Sequence, residues 1–364
     1  MNFKELDTPV LLVDLERLEA NISNMAEFSE SQKVNLRPHI KTHKCPEIAK
    51  TQLKAGAVGI TCAKIGEAEV MAAAGLEDIL IANEIIGETK IKRVIELSKQ
   101  VKLCVAVDSI FGAKSLNNAF EQANRALDVV IEINSGQNRC GVIPGDEALK
   151  LAKEIVQLNS LKLRGLMTHA GQAYHESTKE GIEKIGLHEG KVLVKTAELL
   201  RQNRIPVEVV STGSTPTAKY CGSVKGVTEI RPGNYVFYDL TKIELFSCTL
   251  QDCALSVLAT ITSCPAANRV VLDAGKKALT SDPLGRTGVR NKGYGYIPEK
   301  NATITRLSEE HGIIETHSIF EIGEKVQIIP NHACVVVNMF DEIYGIRGGQ
   351  VEKVFKIKAR GKMT

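Results

Sequence analysis

The chain has no tryptophan, and aromatic residues make up only 4% of its 364 residues. Proteins that stack single-stranded bases rely on such side chains, so their scarcity speaks against that role. A dominant charge is missing too. Lys and Arg number 46 against 43 Asp and Glu, a net charge of +3 with both signs mixed throughout. No extended basic surface for nucleic acid follows from that balance. The nine cysteines include no Cys-x-x-Cys pair, and an odd number at irregular spacing does not make a disulfide framework. A reducing compartment is expected, hence a cytoplasmic location. No charged N-terminal segment leads into a long apolar run, residues 10–13 being far too short for a signal peptide. No apolar run approaches the length that spans a bilayer. Internal repeats, low-complexity tracts and a Gly-Lys-Ser/Thr phosphate loop are also missing.

What the chain does contain is a regular alternation. Residues 8–14 read as a strand, and residues 15–30 carry Leu15, Leu18, Ile22, Met25 and Ala26 on one helix face. Short apolar runs then recur at 58–62, 79–82, 101–107, 129–133, 163–168, 207–211 and 227–230. Helical stretches at 67–74, 90–99, 111–125, 146–158 and 180–203 lie between most of them. With a strand at 34–41 this gives about eight strands, the pattern of a buried parallel sheet. Eight such units closing on themselves predict a (β/α)8 TIM-like barrel over residues 14–240. An open doubly wound sheet is the alternative. Beyond Tyr238 short Val/Ile/Thr runs punctuated by Gly, Pro and Asn replace the helices, so residues 241–364, joined by 1–13, are expected to form a mostly-β domain.

The stretch Arg37–Pro38–His39–Ile40–Lys41–Thr42–His43–Lys44 is the densest in ionisable groups. If it is a strand, Arg37, His39, Lys41 and His43 share one face. Burying four such groups requires partners. The face is then either a solvated edge or the wall of a pocket for an anionic, aldehyde-bearing cofactor bonded to one lysine.

Polar residues collect where barrel strands should end: Asn134 to Gly141, His169 to Tyr174, Ser211 to Thr217, and Arg231–Pro232–Gly233–Asn234–Tyr235. Hydroxyls and Gly213 in the Thr212–Gly213–Ser214–Thr215 loop suit a phosphate, although a plain turn has the same composition. In the β-rich region, His332 and Cys334 stand two apart and on a strand would point the same way, able to hold one metal. Alone, the pair is a weak motif and reads first as a buried cysteine beside an exposed histidine. A thiolate ligand favours zinc over manganese or magnesium.

With these residues in view, the sequence resembles the D-threonine aldolase/D-serine dehydratase family, metal-activated pyridoxal-phosphate enzymes built like alanine racemase. The resemblance rests on Thr8–Pro9 with Val13–Asp14, the Arg37–Lys44 stretch, Gly66–Glu67–Ala68–Glu69, His169–Ala170–Gly171 with Tyr174, Gly213 to Thr217, and Pro330 to Cys334. It implies that Lys41, not Lys44, is the Schiff-base lysine. It implies that Arg139 meets the cofactor's phenolic oxygen, His169 lies against the pyridine ring and Tyr174 stands near the lysine. Thr212, Gly213, Ser214, Thr215, Gly233, Asn234 and Tyr235 would form the phosphate cup. Arg231 would face the pyridine nitrogen, and His332 and Cys334 would bind the metal. The implied function is a homodimeric lyase acting on β-hydroxy D-amino acids. The His-x-Cys pair leans towards D-serine dehydratase-type elimination to a 2-oxo acid and ammonia, with retro-aldol cleavage to glycine and an aldehyde as the alternative. A racemase would need a second base that the sequence does not show, and a cofactor carrier would not need the region 243–364.

Overall fold

The computed structural model describes residues 1–284 and 293–364 and divides into two compact units. One comprises residues 24–41, 46–233 and 361–364; the other comprises residues 1–23, 42–45 and 234–360.

The first unit is a parallel barrel. Strand β1 (Val10–Asp14) belongs to the other unit. The barrel strands are β2 (Asn35–Leu36), β3 (Ile60–Cys62), β4 (Asp78–Glu84), β5 (Lys102–Val107), β6 (Leu127–Ile133), β7 (Leu161–Thr168), β8 (Val209–Thr212) and β9 (Glu229–Ile230). They run β2-β9-β8-β7-β6-β5-β4-β3, all parallel, and a parallel bridge from His39 to Thr61 joins the first to the last. These strands are nearly continuous runs of Val, Ile and Leu because side chains on both faces are covered. Leu80, Ala106, Val130 and Met167, one from each of four successive strands, pack into one buried cluster. Burying a Leu, Val or Met side chain in such a cluster contributes about 1.5–3 kcal/mol. The long helix Lys179–Gln202 shows how the covering layer forms. Thr178 caps it by accepting from Gly181 N, and Ile182, Gly186, Gly190, Leu193, Ala197 and Leu200 form a buried stripe at spacings of three and four.

The expected strand at 34–41 is much shorter. Only Asn35 and Leu36 are ladder residues; Pro38 has no N–H to donate, and Ile40–Thr42 winds into a 3-10 turn. The alternation therefore fails, and Arg37 does not share a face with Lys41. Its guanidinium instead reaches Glu229 (2.7 Å) and Asp78 (2.5 Å), residues at the N-terminal starts of β9 and β4. Arg37 thus closes the barrel floor, the end at which TIM-like barrels keep stability rather than chemistry.

The second unit is a mostly antiparallel nine-stranded sheet. Its strands after β1 are β10 (Leu255–Ala266), β11 (Arg269–Leu272), β12 (Gly295–Ile297), β13 (Ala302–Leu307), β14 (Gly312–Glu315), β15 (Lys325–Pro330), β16 (Glu342–Arg347) and β17 (Gln350–Lys356). Their order is β11-β14-β13-β12-β15-β10-β1-β16-β17, with β1 paired to β10 and β16, so the N-terminal strand lies inside the sheet as its sequence suggests. Helices there are short, such as Leu240–Glu244 and Ala333–Val337. Among the described residues no helix is long and apolar enough to cross a membrane.

Candidate functional site

In the barrel unit the functional groups gather at the C-terminal ends of the strands, the end that carries chemistry in this architecture. Lys41 follows β2 and is exposed, on the 3-10 turn Ile40–Thr42. His39 precedes it, half-buried, its Nδ1 facing Lys41 N at 3.4 Å. Burial, then the positive charges of Lys41 and Arg231, hold His39 well below the usual histidine range. Burial and the charges of Lys41, Arg139 and Arg231 do the same to His169, which follows β7. Both imidazoles are therefore neutral, available to accept a proton or to stack.

Arg231, at the end of β9, is buried and held on two sides. Its Nη1 donates to Ser211 Oγ at 2.5 Å and its Nη2 to the Thr168 carbonyl at 2.6 Å. Ser211 Oγ donates to Glu229 Oε1 at 2.6 Å, whose other oxygen takes Arg37. A continuous chain of charge-assisted hydrogen bonds thus runs from Arg231 to the barrel floor and fixes the guanidinium's direction.

The loop after β8 departs from the expectation placed on it. Gly213 does turn through a positive φ of 96°, which suits glycine. Its N–H, however, donates to Glu189 Oε1 at 3.0 Å, and Ser214 N donates to Thr217 Oγ1 at 3.1 Å. Neither amide is open to a phosphate. What the loop offers instead is hydroxyls. Thr215 Oγ1 is buried without a hydrogen-bond partner, and Thr212 Oγ1, also buried, has no ordinary partner beyond a weak contact with the Cys221 thiol. Buried unpaired hydroxyls are uncommon and fit an anionic acceptor such as a phosphate.

Glu189 was not foreseen. It is fully buried on the helix Lys179–Gln202, its Oε1 also accepts from Ala170 N at 3.2 Å, and its Oε2 has no partner. It ties the loop after His169 to the Gly213 loop. Its signal in the sequence is a charge falling on the apolar stripe between Gly186 and Leu193.

Arg139 lies exposed in the loop after β6, 3.5 Å from the buried Glu132 carboxylate, which also accepts from Cys140 Sγ. Glu84, Glu132 and Cys140 bring their ligand atoms within 4.8 Å of one another. Burial and the charge of Glu132 raise the Glu84 carboxyl, as expected for adjoining carboxylates. Tyr174 sits half-buried in the 3-10 turn Gly171–His175, and Gly233 is buried directly after Arg231–Pro232.

In the β-rich unit, His332 and Cys334 lie beyond the end of β15. They are not on a strand as the sequence suggests: Pro330 ends β15, His332 is the N-cap of the helix Ala333–Val337, and Cys334 lies in its first turn. The two side chains still meet. Burial disfavours a charged His332, but the hydrogen bond and charge of Cys334 outweigh it and raise the imidazole to about 9. Burial likewise pushes the Cys334 thiol up, yet His332, Lys242 and Thr42 bring it down to about 6. A thiol so poised supplies the thiolate that a borderline-soft metal binds. On its other side His332 Nδ1 is 2.9 Å from Asp282 Oδ2, the carboxylate–histidine arrangement that orients metal-binding imidazoles. Thr42 Oγ1 lies 3.2 Å from Cys334 Sγ. Asn234 Nδ2 is directed at Asp239 Oδ2 (2.7 Å) and lies 3.7 Å from Cys334 Sγ, while its Oδ1 is buried and unpaired. Tyr235 is fully buried. Asp239 and Asp282 had no motif to announce them.

Residues 13–240 match the family described as "Alanine racemase, N-terminal domain", and residues 254–346 match "Putative serine dehydratase domain". A D-threonine aldolase from Arthrobacter sp is 34% identical, over 98% of this chain and 93% of its own length. A D-threo-3-hydroxyaspartate dehydratase from Delftia sp. (strain HT23) is 35% identical, over 92% of this chain and 93% of its own. The solved structure of a D-threo-3-hydroxyaspartate dehydratase variant in the metal-free form superposes with a TM-score of 0.91 at 32% identity, covering 98% of each chain. Matched along nearly its whole length at these identities, the chain belongs to the D-threonine aldolase/D-serine dehydratase family of alanine-racemase-like proteins.

Proposed function

We propose that this protein is a pyridoxal-phosphate- and divalent-metal-dependent lyase acting on β-hydroxy D-amino acids, of the D-serine dehydratase type. The observation that carries the reading is the presence on one chain of two donor sets: the Lys41–His39–His169–Arg231 group of the barrel and the His332–Cys334 pair of the β-rich unit.

In this reading Lys41 is the covalent anchor. Lys44 is unsuited to that role because its Nζ donates to Asn338 Oδ1 at 2.8 Å in a buried position. Thr212 and Thr215 hold the phosphate through their unpaired hydroxyls, with Ser214, Gly213 and Gly233 shaping the cup around it. Arg139 and Tyr174 complete the wall, and His169 lies against the ring. When bound, pyridoxal phosphate supplies an electron sink for the bonds at the substrate's Cα. Arg231, a permanently charged donor, discourages protonation of the ring nitrogen and so limits that sink. A divalent ion on His332 and Cys334 supplies a Lewis acid for the β-hydroxyl, and the soft Cys334 thiolate favours zinc over manganese or magnesium. Lys41 Nζ takes the proton from Cα, and the neutral imidazole of His39 beside it adds no positive charge that would hinder that amine.

Retro-aldol cleavage is the second reading, supported by the aldolase among the relatives at comparable identity. Products separate the two. Incubation with D-threonine is expected to give 2-oxobutyrate and ammonia; glycine and acetaldehyde would establish the aldolase reading instead. Light scattering, in which a homodimer is expected, checks the assembly.

A further inference from the structure

Asp239 is fully buried and lies far from His332 and Cys334 in sequence, yet its carboxylate accepts four hydrogen bonds. The two oxygens divide the work. Oδ1 caps the helix Leu240–Glu244, taking Lys242 N at 3.0 Å and the buried Lys242 Nζ at 3.4 Å. Oδ2 takes Asn234 Nδ2 at 2.7 Å and Ala333 N at 2.9 Å. A helix cap needs one oxygen, and serine or threonine serves as well. The second oxygen therefore has a separate role. Ala333 is the residue between His332 and Cys334, so Oδ2 fixes the backbone from which both side chains project. The same oxygen also sets the Asn234 amide, because only its NH2 end can face a carboxylate. With the amide so set, Nδ2 also reaches Cys334 Sγ at 3.7 Å, and Asn234 Oδ1 is left buried and unpaired.

We propose that Asp239 is the positioning residue of the His332–Cys334 metal pair, acting through Ala333 N and Asn234 and touching neither the metal nor the cofactor itself. The proposal rests on the reading of that pair as a metal site. Replacing such outer partners typically weakens metal binding about 10–100-fold.

Asp239→Asn makes the sharpest test. The amide oxygen can still cap the helix, while the amide nitrogen points a donor at two other donors. Because the change also removes a counter-charge from Lys242, the double variant Asp239→Asn/Lys242→Met is measured beside it. Each full-length protein is stripped with a chelator and titrated with Co2+, following thiolate-to-cobalt charge-transfer and ligand-field bands, with thermal melting as the check on folding. The expected result is a folded variant that binds Co2+ at least about tenfold more weakly and with shifted bands. Wild-type affinity and spectrum in a folded single or double variant overturn the assignment. A wild-type protein that takes up Co2+ without a thiolate band overturns it too, and with it the metal reading on which it stands.

Discussion

Lys44 Nζ donates to Asn338 Oδ1 across 2.8 Å, and this one contact separates the two lysines of the basic stretch. Lys41, three residues earlier, is exposed beside His39. Lys41→Ala is expected to abolish the covalent cofactor absorbance, with free cofactor recovered on filtration. Lys44→Ala should keep that absorbance and lose about 1.5–3 kcal/mol of stability, the usual worth of a charged hydrogen bond. The reverse pattern would reassign the anchor.

The floor of the barrel should be felt at its top. Glu229 holds Arg37 directly and Arg231 through Ser211. Glu229→Ala leaves the mostly buried Arg37 with Asp78 as its remaining acid and is expected to cost about 3–5 kcal/mol in denaturant unfolding. It should also shift the absorbance of bound cofactor, because Arg231 loses its mooring. An unchanged spectrum in a folded variant would mean that Ser211 and Thr168 hold Arg231 by themselves.

Glu189 gives stability a pH dependence of defined sign. Burial raises its carboxyl above the ordinary value of 4.5. The folded state then keeps a proton that the unfolded chain has already lost, so the stability from this group is present below about 4.5 and is lost as pH rises through the raised value. Glu189→Gln cannot ionise, yet its oxygen can still accept from Ala170 and Gly213. The unfolding free energy of the wild-type apoprotein, relative to this variant, is expected to fall as pH rises from 4.5; a flat or rising difference would show Glu189 ionised throughout.

Much of this was legible in the chain and some of it was not, for physical reasons. The barrel strands announce themselves because both faces are covered and most of them carry nearly continuous apolar runs. The β-rich sheet shows in short β-branched runs. Lys41, Arg231, His332 and Cys334 stand in local motifs. The strand reading of 34–41 failed because alternation takes no account of Pro38 or of the 3-10 turn that follows. The His-x-Cys pair meets at a helix start rather than on a strand, which a two-residue spacing does not distinguish. Asp239, Asp282 and Glu189 act on groups 94, 50 and 24 residues away, so no local pattern could assign them. Only Glu189 left a trace, as a charge on an apolar helix face.

The most direct measurement is turnover of D-serine by the cofactor-loaded protein before and after metal removal. Pyruvate and ammonia should form, cease on chelation, and return when zinc is restored. Undiminished turnover by the demonstrably metal-free protein would contradict a metal-dependent lyase.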